Sequence, residues 1–139
     1  MSGKPFFDTT ILIYSISLRD PRSTIAEKLL AAGGYISVQV LNEFAAVARR
    51  KLNLSWEEIT DALSAVRVLC EPPIALSVNT HEAALNIAAR YSYQIYDALI
   101  IAAALGEDCD LLYSEDMQNG QRFGPLTIIN PFHGIDVAT

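Results

Sequence analysis

The run YDALIIAAAL, Tyr96 to Leu105, is apolar on every side of a helix rather than along one stripe. A helix of that kind is buried in a core. It nevertheless carries one carboxylate, Asp97, in its first turn. A buried charge is costly unless something compensates it. Two readings are open: Asp97 caps orphan backbone N–H groups, or it faces a polar pocket. The choice depends on what the rest of the chain brings to the same place.

Outward from this run, short apolar segments alternate with helical patterns. Lys4 to Phe7 reads as a strand ending at Asp8, and Asp-Thr-Thr at 8–10 can cap a helix through Ile11, Leu12 and Ile13. Asp20-Pro21 marks a break. A helix over about 22–32 follows and stops at Gly33-Gly34. Tyr35 to Ser37 reads as a strand. From Val38 to about Leu52, residues Val40, Leu41, Phe44, Val47 and Ala48 make a helical stripe with Glu43 on its margin. Arg49-Arg50-Lys51 suits the C-terminal dipole of that helix.

Ser55 with Glu58 is a capping box, and its helix runs to about Leu69. Pro72-Pro73 closes the unit, and Ile74 to Ser77 is a third strand. Asn79 with Glu82 starts a helix to about Tyr91. After the Tyr96 helix, closed by Gly106, strands are read at Asp110 to Tyr113 and Leu126 to Ile129. This alternation implies a parallel sheet covered on both faces. The expected architecture is α/β, a three-layer α/β/α sandwich with a mainly parallel, about five-stranded sheet, in a single domain over residues 1–139.

The chain is 51% hydrophobic and 19% charged, with net charge −6, a pI near 4.7 and mean hydropathy +0.24. A broad electrostatic nucleic-acid binder would be basic. An enzyme that gathers acids around metal ions can still be acidic. No apolar run reaches the roughly 20 residues that span a bilayer, and MSGKPFF leads into a strand without a secretory h-region. Cys70 and Cys109 lie far apart in apolar surroundings, as reduced thiols of a cytoplasmic protein do.

In open α/β sheets the functional crevice lies outside the carboxyl ends of the strands. Asp8 follows the first strand, Asp116 follows the fourth, and Asp97 opens the helix leading into the fourth; Asp110 enters that strand at its other end. Phosphodiester hydrolysis needs charge neutralisation and an activated water, which divalent ions supply. Mg²⁺ and Mn²⁺ prefer oxygen ligands, so such a site needs several acids on separate elements. Asp8, Glu43, Asp97 and Asp116 have that distribution. Each also has a plain structural reading. Asp8 can be an N-cap, Glu43 a helix flank, Asp97 a cap, and Asp116 with Ser114 a side-chain turn; Glu115 reads as solvated or secondary.

Four pieces, FFDTTILIY at 6–14, ISVQVLNEFAAVARRKL at 36–52, YDALIIAAAL at 96–105 and LLYSEDMQNG at 111–120, resemble the PIN domain. Within it they resemble the VapC-type toxin ribonucleases of toxin–antitoxin pairs. They come in the family's order and cover nearly the whole chain. The resemblance implies Asp8, Glu43, Asp97 and Asp116 as catalytic and metal-holding acids. It implies supporting hydroxyls at Ser114 and, where the family often has Asn or Ser, at Thr10. It implies Mg²⁺ or Mn²⁺ dependence and endonucleolytic cleavage of RNA leaving a 5′-phosphate and a 3′-hydroxyl. It further implies a VapB-type antitoxin whose C-terminal segment lies across the groove, and a homodimer.

Two other readings compete. A phosphatase or phosphotransfer domain would use Asp8 as nucleophile. A dehalogenase-type site has a second Asp where Thr10 stands, and a receiver needs a late Lys, whereas none follows Lys51. The alternative is a non-catalytic binding module whose acids only cap helices. For RNA contact, Arg49, Arg50 and Lys51 form one basic cluster, with Arg19, Arg22 and Arg122 as further candidates. His81 and His133 have no partner pattern. Tyr14, Trp56, Tyr91, Tyr93 and Tyr96 read as packing groups.

Overall fold

The computed structural model describes residues 3–135. The single-domain reading also takes in residues 1–2 and 136–139, which lie outside the described residues. Strand β1 (Phe6–Phe7) leads into helix α1 (Thr9–Ser15), then α2 (Arg22–Ala32), α3 (Val38–Arg50), α4 (Trp56–Leu69), α5 (Val78–Tyr91) and α6 (Ile95–Gly106). The chain then forms β2 (Leu111–Tyr113), β3 (Arg122–Phe123) and β4 (Leu126–Ile129).

The sheet has four strands in the order β1-β2-β4-β3. β1 and β2 are parallel, with Phe6 opposite Leu112, and β2 and β4 are parallel, with Leu112 opposite Ile128. Among the described residues only β3 runs antiparallel, against β4. The segments read as strands at Tyr35–Ser37 and Ile74–Ser77 are instead single parallel bridges, Phe6 to Tyr35 and Ser37 to Ile74, and Ser77 is the N-cap of α5. They continue the ladder beyond β1 through bonds such as Phe7 N to Tyr35 O and Ile74 N to Ile36 O, both 2.9 Å. The expected strand at that edge is thus too short to be more than a bridge. The short β3, which has no apolar run of its own, was not expected.

Close approach at this edge demands a glycine. A Cβ on Gly34 would stand 2.6 Å from both the Pro5 carbonyl oxygen and the Phe7 ring. A backbone oxygen cannot yield cheaply, so any larger residue would pry this segment from β1.

Helix ends follow the local chemistry. Ser55 and Glu58 make the reciprocal capping box on α4. Helix α5 begins one residue before Asn79, because Ser77 Oγ accepts from Thr80 N. The stripe of α3 buries Val40, Phe44 and Ala48, and its last turn ends at Arg50, with Lys51 as C-cap. As its composition required, α6 is buried without interruption from Ala98 to Ala104. It packs against α5 and α3, while α1 packs against α2 and α3. One core joins these helices to Phe6, Phe7, Leu112 and Ile128 of the sheet. Among the described residues no helix is long and apolar enough to cross a membrane.

From β1 the chain moves to the Tyr35 side, whereas from β2 it moves to β4 on the other. The strand order therefore reverses between β1 and β2. Their carboxyl ends form the crevice where open α/β sheets place ligands.

Candidate active site

Asp8 stands at the end of β1 and is the N-cap of α1. Its Oδ1 accepts from Thr9 N at 2.7 Å, and its Oδ2 accepts from Ser114 Oγ at 2.5 Å. Ser114, fully buried beyond β2, also accepts from Met117 N at 3.2 Å. One hydroxyl thus ties the ends of two parallel strands together and shapes the turn that carries Asp116. Both readings of Asp8 therefore coexist: it caps a helix and it faces the crevice.

Glu43 comes from the middle of α3. Thr9 Oγ1 donates to its Oε1 at 3.1 Å and Gln39 Nε2 to its Oε2 at 3.0 Å. Gln39 is itself buried. Asp97 lies in the first turn of α6, but the N-cap is Gln94, so Asp97 does not act as the cap. Its apolar helix holds the carboxylate half-buried at the crevice. Asp116 is the most exposed of the four.

Asp8, Glu43, Asp97 and Asp116 line one cleft of about 300 Å³, together with Thr9, Thr10, Tyr14 and Lys51. Asp110, at the opposite end of β2, does not. Burial first, and neighbouring charges second, raise Asp8, Asp97 and Asp116. Burial pushes Asp8 up to about 7, against the bonds from Ser114 and Thr9, and the charges of Asp97 and Glu43 push it further. Asp97 is raised by burial, then by Glu43 and Asp116, while a bond from Gln94 opposes the rise. Burial and the neighbouring Glu115 raise Asp116, and Lys51 opposes them. Such a site favours any cation that can offset the carboxylates.

The lining offers oxygen donors and neither His nor Cys, which suits a hard divalent ion rather than zinc or copper. Among the described residues, no three potential ligands are gathered closely enough to form a finished metal shell. The acids line one cleft from four separate elements rather than meeting at a point.

Around this cleft the structure corrects two expectations. Of the two readings of Glu115, solvated or secondary, the first is removed: the Tyr14 hydroxyl donates to it, and Arg22 Nη1 donates to its Oε2 at 2.7 Å. Arg22 is not free for phosphate, since it also forks onto Asp20 at 2.9 and 2.7 Å and stacks 3.9 Å above the Tyr14 ring. Thr10 Oγ1 accepts from Glu115 N at 3.2 Å, so it braces the same loop. Thr9, Gln39 and Lys51 were not singled out for this site. Gln39 was findable, because it lies one turn before Glu43 on the same helix. The basic cluster also divides. Arg49 donates to Leu54 O at 3.1 Å and lies over Trp56, whereas Lys51 faces the acids.

Solved structures share this arrangement of the chain. VapC20 of Mycobacterium tuberculosis, described as a toxin that cleaves the sarcin-ricin loop, is 21% identical with a TM-score of 0.66, over 81% of this chain and 90% of that one. A toxin–antitoxin complex from Klebsiella pneumoniae gives 21% identity and a TM-score of 0.70, over 92% and 98% of the two chains. VapBC2 from Rickettsia felis, bound to a DNA fragment from its promoter, gives 20% and 0.66, over 89% and 96%. At such identities the likeness establishes the fold alone. No curated protein matches the chain. The PIN domain family matches residues 6–119, from β1 through the turn that carries Asp116. The chain belongs to the PIN domain family.

Proposed function

We propose that this chain is a Mg²⁺- or Mn²⁺-dependent endoribonuclease of the VapC toxin type, formed by residues 1–139 as one domain. The observation that carries the reading is the meeting of Asp8, Glu43, Asp97 and Asp116 in one cleft, each delivered by a different element. The family match and the likeness to VapC toxins support it. Asp8, Asp97 and Asp116 hold the cation, and Glu43 completes the cluster or orients the attacking water. When bound, the ion offsets phosphate charge and makes a water more acidic.

The chain's own residues do the rest. Ser114 and Thr9 fix both oxygens of Asp8. Thr9 and Gln39 hold one oxygen each of Glu43, leaving further lone pairs for a water. Thr10, Tyr14 and Arg22 steady the loop on which Asp116 sits. Inhibition by a VapB-type antitoxin belongs to the same reading, supported by the toxin–antitoxin complexes among the structural relatives; activity in the cytoplasm and a homodimer are parts of it that rest on the family alone.

The test is Mn²⁺-dependent cleavage of RNA by wild type and Asp97→Asn. Asp97 makes no cap bond that the variant would lose, so the variant should fold. A fall of at least a hundredfold is expected, on the order of 3 kcal/mol of transition-state stabilisation. Equal rates in a folded variant would remove Asp97 from the chemistry. A wild type with neither cleavage nor Mn²⁺ binding would instead favour the non-catalytic module.

A further inference from the structure

A second cleft, of about 570 Å³, opens beside the acids and shares Glu43 and Val47 with their cleft. Asn42, Arg50, Gln94 and Tyr96 also form its walls. Tyr96 is 55% exposed, although the helix behind it is buried from Ala98 onward. The other aromatics near the sheet are engaged: Tyr14 packs on Phe132, and Tyr91 and Tyr93 pack on Phe123. Among the described residues the Tyr96 ring meets no other ring. The expectation that Tyr96 is a packing group is therefore corrected by its exposure. Arg50 is likewise exposed, and it joins none of the ion pairs among the described residues.

We propose that this second cleft is a nucleotide subsite, in which Tyr96 stacks on an unpaired RNA base beside the scissile phosphate and Arg50 meets the adjoining phosphate. The inference deepens the ribonuclease reading and rests on it. Three features favour a nucleotide here. The cleft is continuous with the acids through Glu43, so a strand cut at one occupies the other. Net charge −6 gives no general attraction for RNA, so affinity must come from local contacts. An aromatic face next to a guanidinium supplies such contacts, and stacking tolerates any base. Asn42 and Gln94 add amide groups able to bond a base edge.

The test is anisotropy of a short, labelled, random-sequence single-stranded RNA pool, in EDTA so that binding is read without cutting. Wild type and Tyr96→Phe should bind alike, because the ring is kept. Tyr96→Ala should bind about tenfold more weakly, the loss of one stacked base. Arg50→Ala should weaken binding and flatten its salt dependence. Equal binding by wild type and Tyr96→Ala overturns the subsite, as does a wild type that does not bind the pool. A Tyr96→Ala variant that loses a dimer in sedimentation, with RNA binding unchanged, assigns the cleft to a second copy and also overturns it. Mn²⁺-dependent cleavage by wild type separates the two ideas. Cleavage with unchanged variant binding removes only the subsite, and Tyr96-dependent binding without cleavage removes only the nuclease.

Discussion

At the scale of the residue, Asp8 carries conflicting demands. Its position between Thr9 N and Ser114 Oγ is well bonded, yet burial raises it from 3.8 to about 7. A raised carboxylate means that the folded state keeps a proton the unfolded chain has already released. Stability therefore falls as pH rises from about 4 to about 7 and stays reduced above that window. Asp8→Asn removes the ionisation while keeping the cap, since Asn caps helices as well as Asp. Its amide can donate to Ser114 Oγ where the carboxylate accepted. In EDTA at pH 8 the variant should be more stable than wild type by ~2 kcal/mol, with the advantage shrinking toward pH 4.5. Urea unfolding at both pH values checks this. A variant less stable than wild type at pH 8 would mean that the carboxylate's bonds outweigh its desolvation.

At the scale of the element, the loop after β2 depends on contacts that span the chain. Arg22, at the start of α2, holds Glu115 across 93 positions of sequence, and Tyr14 of α1 holds the same carboxylate. Arg22→Gln leaves Asp20 and Glu115 without their shared cation in a part-buried setting. A loss of ~2 kcal/mol in urea unfolding is expected, since bonds to charged groups are worth more than neutral ones. An unchanged midpoint would reduce the network to a surface feature of little energetic consequence. This network also marks where the sequence stopped being legible. Periodicity and caps found every helix, because those signals are local: the stripe of α3, the Ser55–Glu58 box and the all-round apolar α6 are each written within a few turns. Positions just after strands placed Asp8 and Asp116 at the crevice for the same reason. The partners of Glu115 lie some 90 to 100 residues away, and no local pattern encodes them. Neither did β3, two residues long, whose pairing exists only because β4 is beside it. The exposure of Tyr96 was hidden too, because it is one aromatic at the head of a run that is otherwise buried.

At the scale of the whole molecule, the four acids make the fold less stable than its core alone would allow. Burial raises Asp8, Asp97 and Asp116 together, while the charge of Asp97 adds to the rise at Asp8 and that of Asp116 to the rise at Asp97. The core around Phe6, Phe44, Ile100 and Ile128 supports that cost, as folds do at functional sites. A divalent ion in the cleft should therefore act as a stabiliser of the entire chain, not of one loop. Any ligand that binds only the folded state adds RT ln(1 + [L]/Kd), ~3 kcal/mol at a hundredfold excess over Kd. Mn²⁺ should raise the thermal midpoint of the wild type in a saturable way, while Asp97→Asn should respond weakly. Asp8→Asn should show the two effects crossing: more stable than wild type in EDTA, less stable in saturating Mn²⁺, because it has given up a ligand along with its burden. Differential scanning fluorimetry with and without Mn²⁺ reads both arms. If millimolar Mn²⁺ leaves the wild-type midpoint where EDTA leaves it, the cleft holds no ion, and its carboxylates serve helix ends and loop geometry alone.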